Sequence, residues 1–216
     1  MLEYMSVRSY LAEQPRRIPQ QVRGERRVAR LLEGAAEVIA AVGYESATMS
    51  AIAERAGAPI GSLYQFFPNK QAITLALRTE YGKDYEAKLT ALETEAKHLS
   101  LRRVVGRLIA LTVDFVESHP AFLALLDAPL ITRSPLSLRR QLRERLAGCF
   151  LAVHARAGKS KSVRLAAVTL QMLKGMNQLY AEASPRERRK YVREYKIALF
   201  SYLTARLERD PGGGDE

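Results

Sequence analysis

The chain has little of what builds disulfide scaffolds, metal centres or membrane spans. It contains one cysteine and three histidines, which excludes a disulfide framework and leaves few ligands for a transition metal. No apolar stretch approaches the ~20 residues of a membrane-spanning helix, and the N-terminal residues lack the apolar core of a signal peptide. We therefore expect a cytoplasmic protein with no metal site and no cofactor.

What the chain has in excess is positive charge. Its 34 lysines and arginines stand against 23 acidic residues, a formal net charge of +11 at pH 7, with a sequence pI of about 9.9. At 47% hydrophobic and 26% charged residues, the composition is that of an ordinary soluble globular protein. The charge points to anionic partners, namely nucleic acid, anionic lipid or acidic ligands, without choosing among them.

Hydrophobic residues recur at the spacing of α-helices along most of the chain. The first stripe, from Val28 to Val42, advances by three or four residues at a time and so lies on one helix face. Gly43 is predicted to end that helix, and Thr48, Asn69 and the Ser184–Glu187 capping box to begin later ones. Predicted helices lie at about 26–42, 49–56, 60–66, 70–92, 101–117, 121–127, 135–155, 163–183 and 185–209. No segment alternates like a strand, so the predicted fold is all-α.

The second and third predicted helices, joined by a turn at Gly57-Ala58-Pro59, make a helix-turn-helix unit. In such a unit the second helix enters the ~12 Å major groove of DNA. Leu63 and Phe67 are predicted to anchor that helix inward, whereas Tyr64 and Gln65 project outward. A DNA-binding protein is therefore the first functional hypothesis.

The residues from Thr48 to Lys70, TMSAIAERAGAPIGSLYQFFPNK, resemble the DNA-binding signature of the tetracycline-repressor (TetR) family. The resemblance covers about residues 26–75. It implies a helix-turn-helix DNA-binding domain at 25–70 and a helical effector-binding and dimerisation domain at 71–209. A flexible basic arm at 1–24 and a disordered tail at 210–216 flank these domains.

The resemblance also implies which residues contact DNA. Ile60 and Gln65 occupy positions that read sequence, and Lys70 matches a closing phosphate contact. Gln65 has the chemistry to pair with the N6 and N7 atoms of adenine. The implied DNA-binding set is Thr48, Ser50, Ile60, Gly61, Ser62, Tyr64, Gln65, Phe66 and Lys70. Three of these have a second interpretation: Tyr64 could pack in the core, Phe66 fits the core equally well, and Thr48 caps a helix whether or not DNA is present.

A ligand pocket is expected among the helices between residues 101 and 183, since bundle interiors hold ligands. Its candidate lining residues are Asp114, Phe115, His119, Phe122, Phe150, His154, Gln171, Met172, Met176 and Asn177. Each has an ordinary alternative role on the surface or in the core. The effector is expected to be a small molecule of unknown identity.

The positive charge is unevenly distributed along the chain. Residues 26–70 sum to only +1, whereas residues 133–164 hold nine basic residues against Glu144, a net +8. This basic cluster is either a solvated helix face or the approach for an anionic effector such as an acyl-coenzyme A. Contact between this cluster and DNA is the less favoured interpretation, because the resemblance places the cluster far from the groove. The N-terminal arm is likewise either a DNA-seeking arm or a solvated tail.

The patterns favour a DNA-binding protein, and the resemblance to the TetR family implies a sequence-specific, ligand-responsive repressor that binds a palindromic operator as a homodimer. The last two helices are expected to form the dimer interface, with Gly175 allowing close packing and Tyr191, Tyr195 and Tyr202 supplying an aromatic stripe. The alternative is a basic helical protein that binds a membrane surface or an acidic ligand without specific DNA recognition. An enzyme is not expected, because no catalytic motif is present and Cys149 and His154 do not share a helix face.

Overall fold

The computed structural model describes residues 22–126 and 136–207. These residues form α-helices and one 3-10 turn with no strand among them, which confirms the all-α prediction. Residues 1–21 of the arm predicted at 1–24, the loop at 127–135 and the tail at 210–216 lie outside the described residues. Residues 22–24, predicted to belong to the arm, are helical instead. The helices are α1 (Val22–Ser46), α2 (Met49–Arg55), α3 (Ile60–Phe66), α4 (Lys70–Ala96), α5 (Leu101–Ser118), α6 (Ala121–Leu126), α7 (Leu136–Val153), α8 (Lys159–Glu182) and α9 (Pro185–Leu207), with the 3-10 turn at Ala155–Ala157.

The chain divides into two compact units. The first comprises residues up to Gly82 together with His119–Pro135, and the second comprises Lys83–Ser118 and the residues from Leu136 onward. The division falls within α4, whereas the functional boundary predicted between residues 70 and 71 stays a prediction. The core of the first unit is built by α1, α2, α3, the start of α4 and α6.

Side-chain caps explain where three helices begin. The Thr48 hydroxyl accepts a hydrogen bond from the Ala51 amide at 3.2 Å, and Asn69 Oδ1 accepts one from the Ala72 amide at 2.9 Å. At α9, the Glu187 amide donates to the Ser184 hydroxyl at 3.4 Å while the Ser184 amide donates to the Glu187 carboxylate at 3.3 Å. The Ser184 hydroxyl also donates to that carboxylate at 2.7 Å, and this bond, with the one from the Ser184 amide, holds the pKa of the Glu187 carboxyl below its usual value. All three predicted caps are confirmed.

Three local predictions differ from the structure. Gly43 does take a left-handed φ of 79°, but helical structure resumes after it and continues to Ser46. Val42, assigned to the inward stripe, is 51% exposed, whereas Tyr44, just beyond the kink at Gly43, is buried in the core. The helix predicted to start at Val163 begins at Lys159, directly after Gly158 at φ 71°. Its first turn is polar and mostly exposed, so it carries no apolar signal.

The second unit has a core built by α4, α5, α7, α8 and α9, with a polar pair inside it. The Tyr85 hydroxyl lies 2.8 Å from the Thr112 hydroxyl, and the Tyr85 ring meets Phe115 edge-on at 5.0 Å between centroids. Burial raises the pKa of Tyr85 to about 12, and it does the same for the buried Cys149 thiol. Both groups are therefore neutral core members near pH 7.

Gly34 and Gly61 are expected to respond oppositely to substitution by alanine. A Cβ at Gly34 would lie 2.9 Å from both the Cβ and the amide nitrogen of Ala56, whereas a Cβ at Gly61 would meet nothing within 4 Å. Gly34→Ala should therefore lower the free energy of unfolding by about 1–3 kcal/mol through overpacking of α1 against α2. Gly61→Ala should raise it by about 0.5–1 kcal/mol through helix propensity. Urea unfolding of both variants checks the pair, and equal shifts would contradict the close approach.

Candidate nucleic-acid interface

The outer face of α3 presents a continuous set of exposed residues. Ile60 is 41% exposed and Tyr64, one turn later, is 51% exposed. Gly61 and Gln65 lie beside them and are also exposed, since residues four apart share one helix face. A Cβ-free Gly61 with open space around it lets another molecule approach the backbone closely. This face carries polar, aromatic and aliphatic groups that suit base edges and the thymine methyl group.

The inner face of α3 is held in the core. Leu63 and Phe67 are 0% exposed, and the Phe67 amide closes the helix by donating to the Leu63 carbonyl at 2.9 Å. Phe66 packs partly buried against the same core, which favours its packing role, and Ser62 is half-buried. The two anchors fix the orientation of the outer face, as the apolar spacing predicted.

The N-terminal end of α2 offers a second polar surface. Thr48 and Ser50 are exposed, and the Thr48 hydroxyl caps the Ala51 amide. Helix N-termini with free amides favour phosphate groups. Two contacts missed by the sequence patterns brace this helix: Arg30 Nη2 donates to the Ala56 carbonyl at 3.3 Å, and Arg55 pairs with Glu37. Neither follows from helical periodicity, because each joins residues far apart in the chain.

Lys70 has a structural role that its predicted phosphate contact did not include. Its ammonium donates to the carbonyl of Tyr44 at 2.7 Å and to that of Glu45 at 2.9 Å. The same nitrogen lies 4.4 Å from the centroid of the Tyr44 ring, within the range of a cation–π interaction. An ammonium has three N–H donors, so one remains for a phosphate. Lys70 therefore ties the start of α4 to the end of α1.

The ten pocket candidates do not form one buried set. Asp114 and Gln171 are exposed, which is unlike the wall of a closed cavity. His119 and Phe122 belong to the first unit, where the His119 ring meets Tyr81 edge-on at 4.6 Å. The others lie in the second unit: Phe115, Phe150, Met176 and Asn177 are buried, and His154 and Met172 are half-buried. The patterns missed Thr169, a buried residue of α8 whose hydroxyl has no hydrogen-bond partner among the described residues.

The described residues contain neither a candidate metal site nor a candidate membrane span. No group of three histidine, cysteine or carboxylate side chains there is placed to hold a metal ion. None of the described helices is both long enough and apolar enough to cross a membrane.

Two family models match the chain in succession. Residues 31–77, which include α2, α3 and the start of α4, match the model of bacterial regulatory proteins of the tetR family. Residues 100–203 match a tetracyclin repressor-like C-terminal domain. The chain belongs to the TetR family. The first match contains all nine implied DNA-binding residues, and membership of a family of regulatory proteins agrees with the expectation that this TetR protein is not an enzyme.

Individual TetR-family proteins resemble the chain over different lengths. It is 33% identical over 81 residues to the HTH-type transcriptional repressor KstR of Mycolicibacterium smegmatis, covering 37% of this chain and 40% of that repressor. A crystal structure of a TetR-family transcriptional regulator from Streptomyces coelicolor shares 26% identity at a TM-score of 0.66, over 84% of this chain and 99% of that one. A TetR-like transcriptional regulator from Rhodococcus sp. RHA1 shares 20% identity at a TM-score of 0.60, over 90% and 100% of the two chains, and this shows the common fold.

Proposed function

We propose that the protein is a ligand-responsive transcriptional repressor in the cytoplasm that binds a palindromic operator as a homodimer. The observation that carries the proposal is the exposed face of α3, with Ile60, Tyr64 and Gln65 outward and Leu63 and Phe67 fully buried beneath it. A helix held in this way presents base-reading groups at a fixed orientation to the major groove. The membrane-surface alternative is less favoured, since it gives this arrangement no role.

The experiment that tests DNA recognition is selection from a randomised duplex pool at ~150 mM salt, where phosphate-only binding is weakened. We expect a palindrome whose half-sites are spaced by one helical turn, ~34–36 Å, or a multiple of it.

Gln65→Ala should change the selected bases while leaving affinity for unrelated duplexes almost unaltered, because Gln65 is placed to read base edges. If the wild type and Gln65→Ala selected the same motif, Gln65 would not be a residue that reads the DNA sequence. If the folded protein enriched no motif, with or without candidate effectors, the proposed function would be wrong.

Homodimerisation through α8 and α9 is supported by apolar side chains left on their surface. Val168 is 42% and Leu179 38% exposed on α8, and Ile197 is 55% exposed on α9. The close packing expected at Gly175 is met within the chain, since a Cβ there would lie 3.1 Å from the Tyr195 hydroxyl.

Leu179→Glu with Ile197→Glu should convert the protein to monomers in sedimentation velocity, because each substitution would bury a charge in the interface. Val42→Glu, an equally exposed apolar site in the first unit, should leave the dimer intact.

The effector is proposed to bind among α5, α7 and α8 of the second unit. Thr169 is fully buried and its hydroxyl has no hydrogen-bond partner within the described part of the chain, and Asn177 on the same helix is 5% exposed. An unpaired buried hydroxyl costs free energy that a polar ligand group would recover. A ligand that favours one conformer would then shift operator binding. Release of the selected operator duplex by added acyl-coenzyme A or other carboxylates tests the anionic class, and no release by any of them would reject it.

A further inference from the structure

The basic cluster of the sequence divides into two parts in the second unit. On α7 two of its cations pair with carboxylates: Arg145 lies 3.5 Å from Glu86 and 3.6 Å from Glu93, and Arg140 lies 3.4 Å from Glu144. Beyond α7 this pairing stops. The cations of 156–164 have no carboxylate partner among the described residues, and Arg164 instead donates to the Ser160 hydroxyl at 3.0 Å.

Contacts within the second unit place this unpaired part beside another basic segment. The Tyr180 hydroxyl donates to Glu117 at 2.7 Å, so the end of α5 lies beside the later part of α8. Because α8 and α9 are joined by only two residues and a Cβ at Gly175 would lie 3.1 Å from the Tyr195 hydroxyl, these two helices are antiparallel, which places the end of α9 at the start of α8. The end of α5 meets the end of α8 and its start meets the end of α9, so α5 runs parallel to α8 and the start of α8 reaches the level of the start of α5. The Arg102 guanidinium lies 4.3 Å from the centroid of the Phe200 ring, which brings the last part of α9 to that level too. Segments 97–103 and 154–164 therefore share one end of the helical bundle.

This basic end holds many cations and no acid. Segments 97–103 and 154–164 contain seven lysines and arginines and no aspartate or glutamate, and Arg206 near the end of α9 adds an eighth cation. The residues after Leu207 carry four carboxylates against one arginine, which leaves the sum positive. The cations of the two segments are exposed except for the half-buried Lys161. They are Lys97, Arg102, Arg103, Arg156, Lys159, Lys161 and Arg164.

We propose that the basic end is a second, sequence-independent nucleic-acid surface that binds the phosphates of duplex DNA. Arginine and lysine clusters without intervening acids are the electrostatic footprint of phosphate-backbone binding. The six exposed large hydrophobic side chains among the described residues all lie outside segments 97–103 and 154–164, so this end lacks the apolar anchors of a membrane-surface helix. The DNA reader at 26–70 sums to only +1, so most of the non-specific attraction to phosphates has to come from cations outside it.

The test compares two triple variants of the intact protein. Arg103→Glu/Arg156→Glu/Lys159→Glu removes three exposed, unpaired cations of the basic end. Arg189→Glu/Lys190→Glu/Arg193→Glu makes the same change in charge at exposed residues of α9, outside the basic end. Affinity for an operator-free duplex is measured from ~50 to ~200 mM salt. The first variant should bind roughly tenfold more weakly at low salt, and its slope of log K against log salt should fall by ~2.7, at ~0.9 per lost phosphate contact. The control should change much less.

Three outcomes decide the proposal. Equal losses in both triple variants would show that net charge alone matters and would overturn it. The protein could instead bind phosphatidylglycerol vesicles more strongly than a duplex of equal phosphate content, and lose that binding only in the first variant. The partner of the basic end would then be a membrane and not nucleic acid, and the proposal would be overturned. Loss confined to the first variant on duplex DNA supports it. The measurement needs no operator, so it is separable from the selection experiment: a palindrome selected equally by both variants would leave the proposed function intact whichever result the basic end gives.

Discussion

Lys70→Met is expected to weaken both the fold and operator binding. The substitution removes two charge-assisted hydrogen bonds to the carbonyls of Tyr44 and Glu45, which are worth about 1.5–3 kcal/mol each when well shielded and less at this partly exposed site. We expect the free energy of unfolding to fall by about 1–2 kcal/mol and operator affinity to fall at least roughly tenfold. Thermal melts and duplex titrations of the intact protein measure the two effects.

The salt dependence separates the two roles of Lys70. If its third N–H contacts a phosphate, Lys70→Met lowers the slope of log K against log salt by ~0.9. If Lys70 only ties α4 to α1, affinity falls while the slope stays constant. Lys83→Met is the matched control, since Lys83 lies on the same helix α4 and is exposed. It should alter neither the melt nor the affinity. A Lys70→Met protein that melts and binds like the wild type would refute both roles.

The elements of this fold were predictable because their signals are local. A cap such as Thr48 or Asn69 forms its hydrogen bond three residues along the chain, so the side chain and its target appear together in the sequence. The burial of Leu63 and Phe67 follows equally from one helix face. These local signals position α2 and α3, and with them most of the candidate DNA surface.

What the sequence did not reveal depends on contacts between distant residues. The partners of Lys70 lie 25 and 26 residues earlier, and no periodicity marks a backbone carbonyl as an acceptor. Gly34 is a helical glycine in sequence, and only the packing of Ala56 against it explains why no Cβ fits. The division of the basic cluster is of the same kind, because Arg145 finds Glu86 and Glu93 on another helix.

Phe67→Ala is expected to give the largest loss of stability in the first unit. Phe67 is 0% exposed and belongs to the core that joins α1, α2, α3 and α4, so its truncation removes apolar contacts and leaves a cavity. The expected cost is about 3–5 kcal/mol in the free energy of unfolding, a large share of the stability of a small domain. Urea unfolding followed by circular dichroism measures it.

Tyr64→Ala is the matched comparison on the neighbouring helix α3, since Tyr64 is an aromatic residue of the same local segment but is 51% exposed. It should unfold at nearly the wild-type urea concentration and yet lose operator affinity, because its ring lies on the outer face of α3. Phe67→Ala should lose operator binding only as far as it unfolds, so lowering the temperature or adding operator should restore part of its binding through mass action. If Tyr64→Ala proved the less stable of the two, the inward and outward assignment of α3 would be reversed. If Phe67→Ala stayed folded but failed to bind, the buried ring would be needed to orient the outer face of α3, and stability alone would not explain its effect on binding.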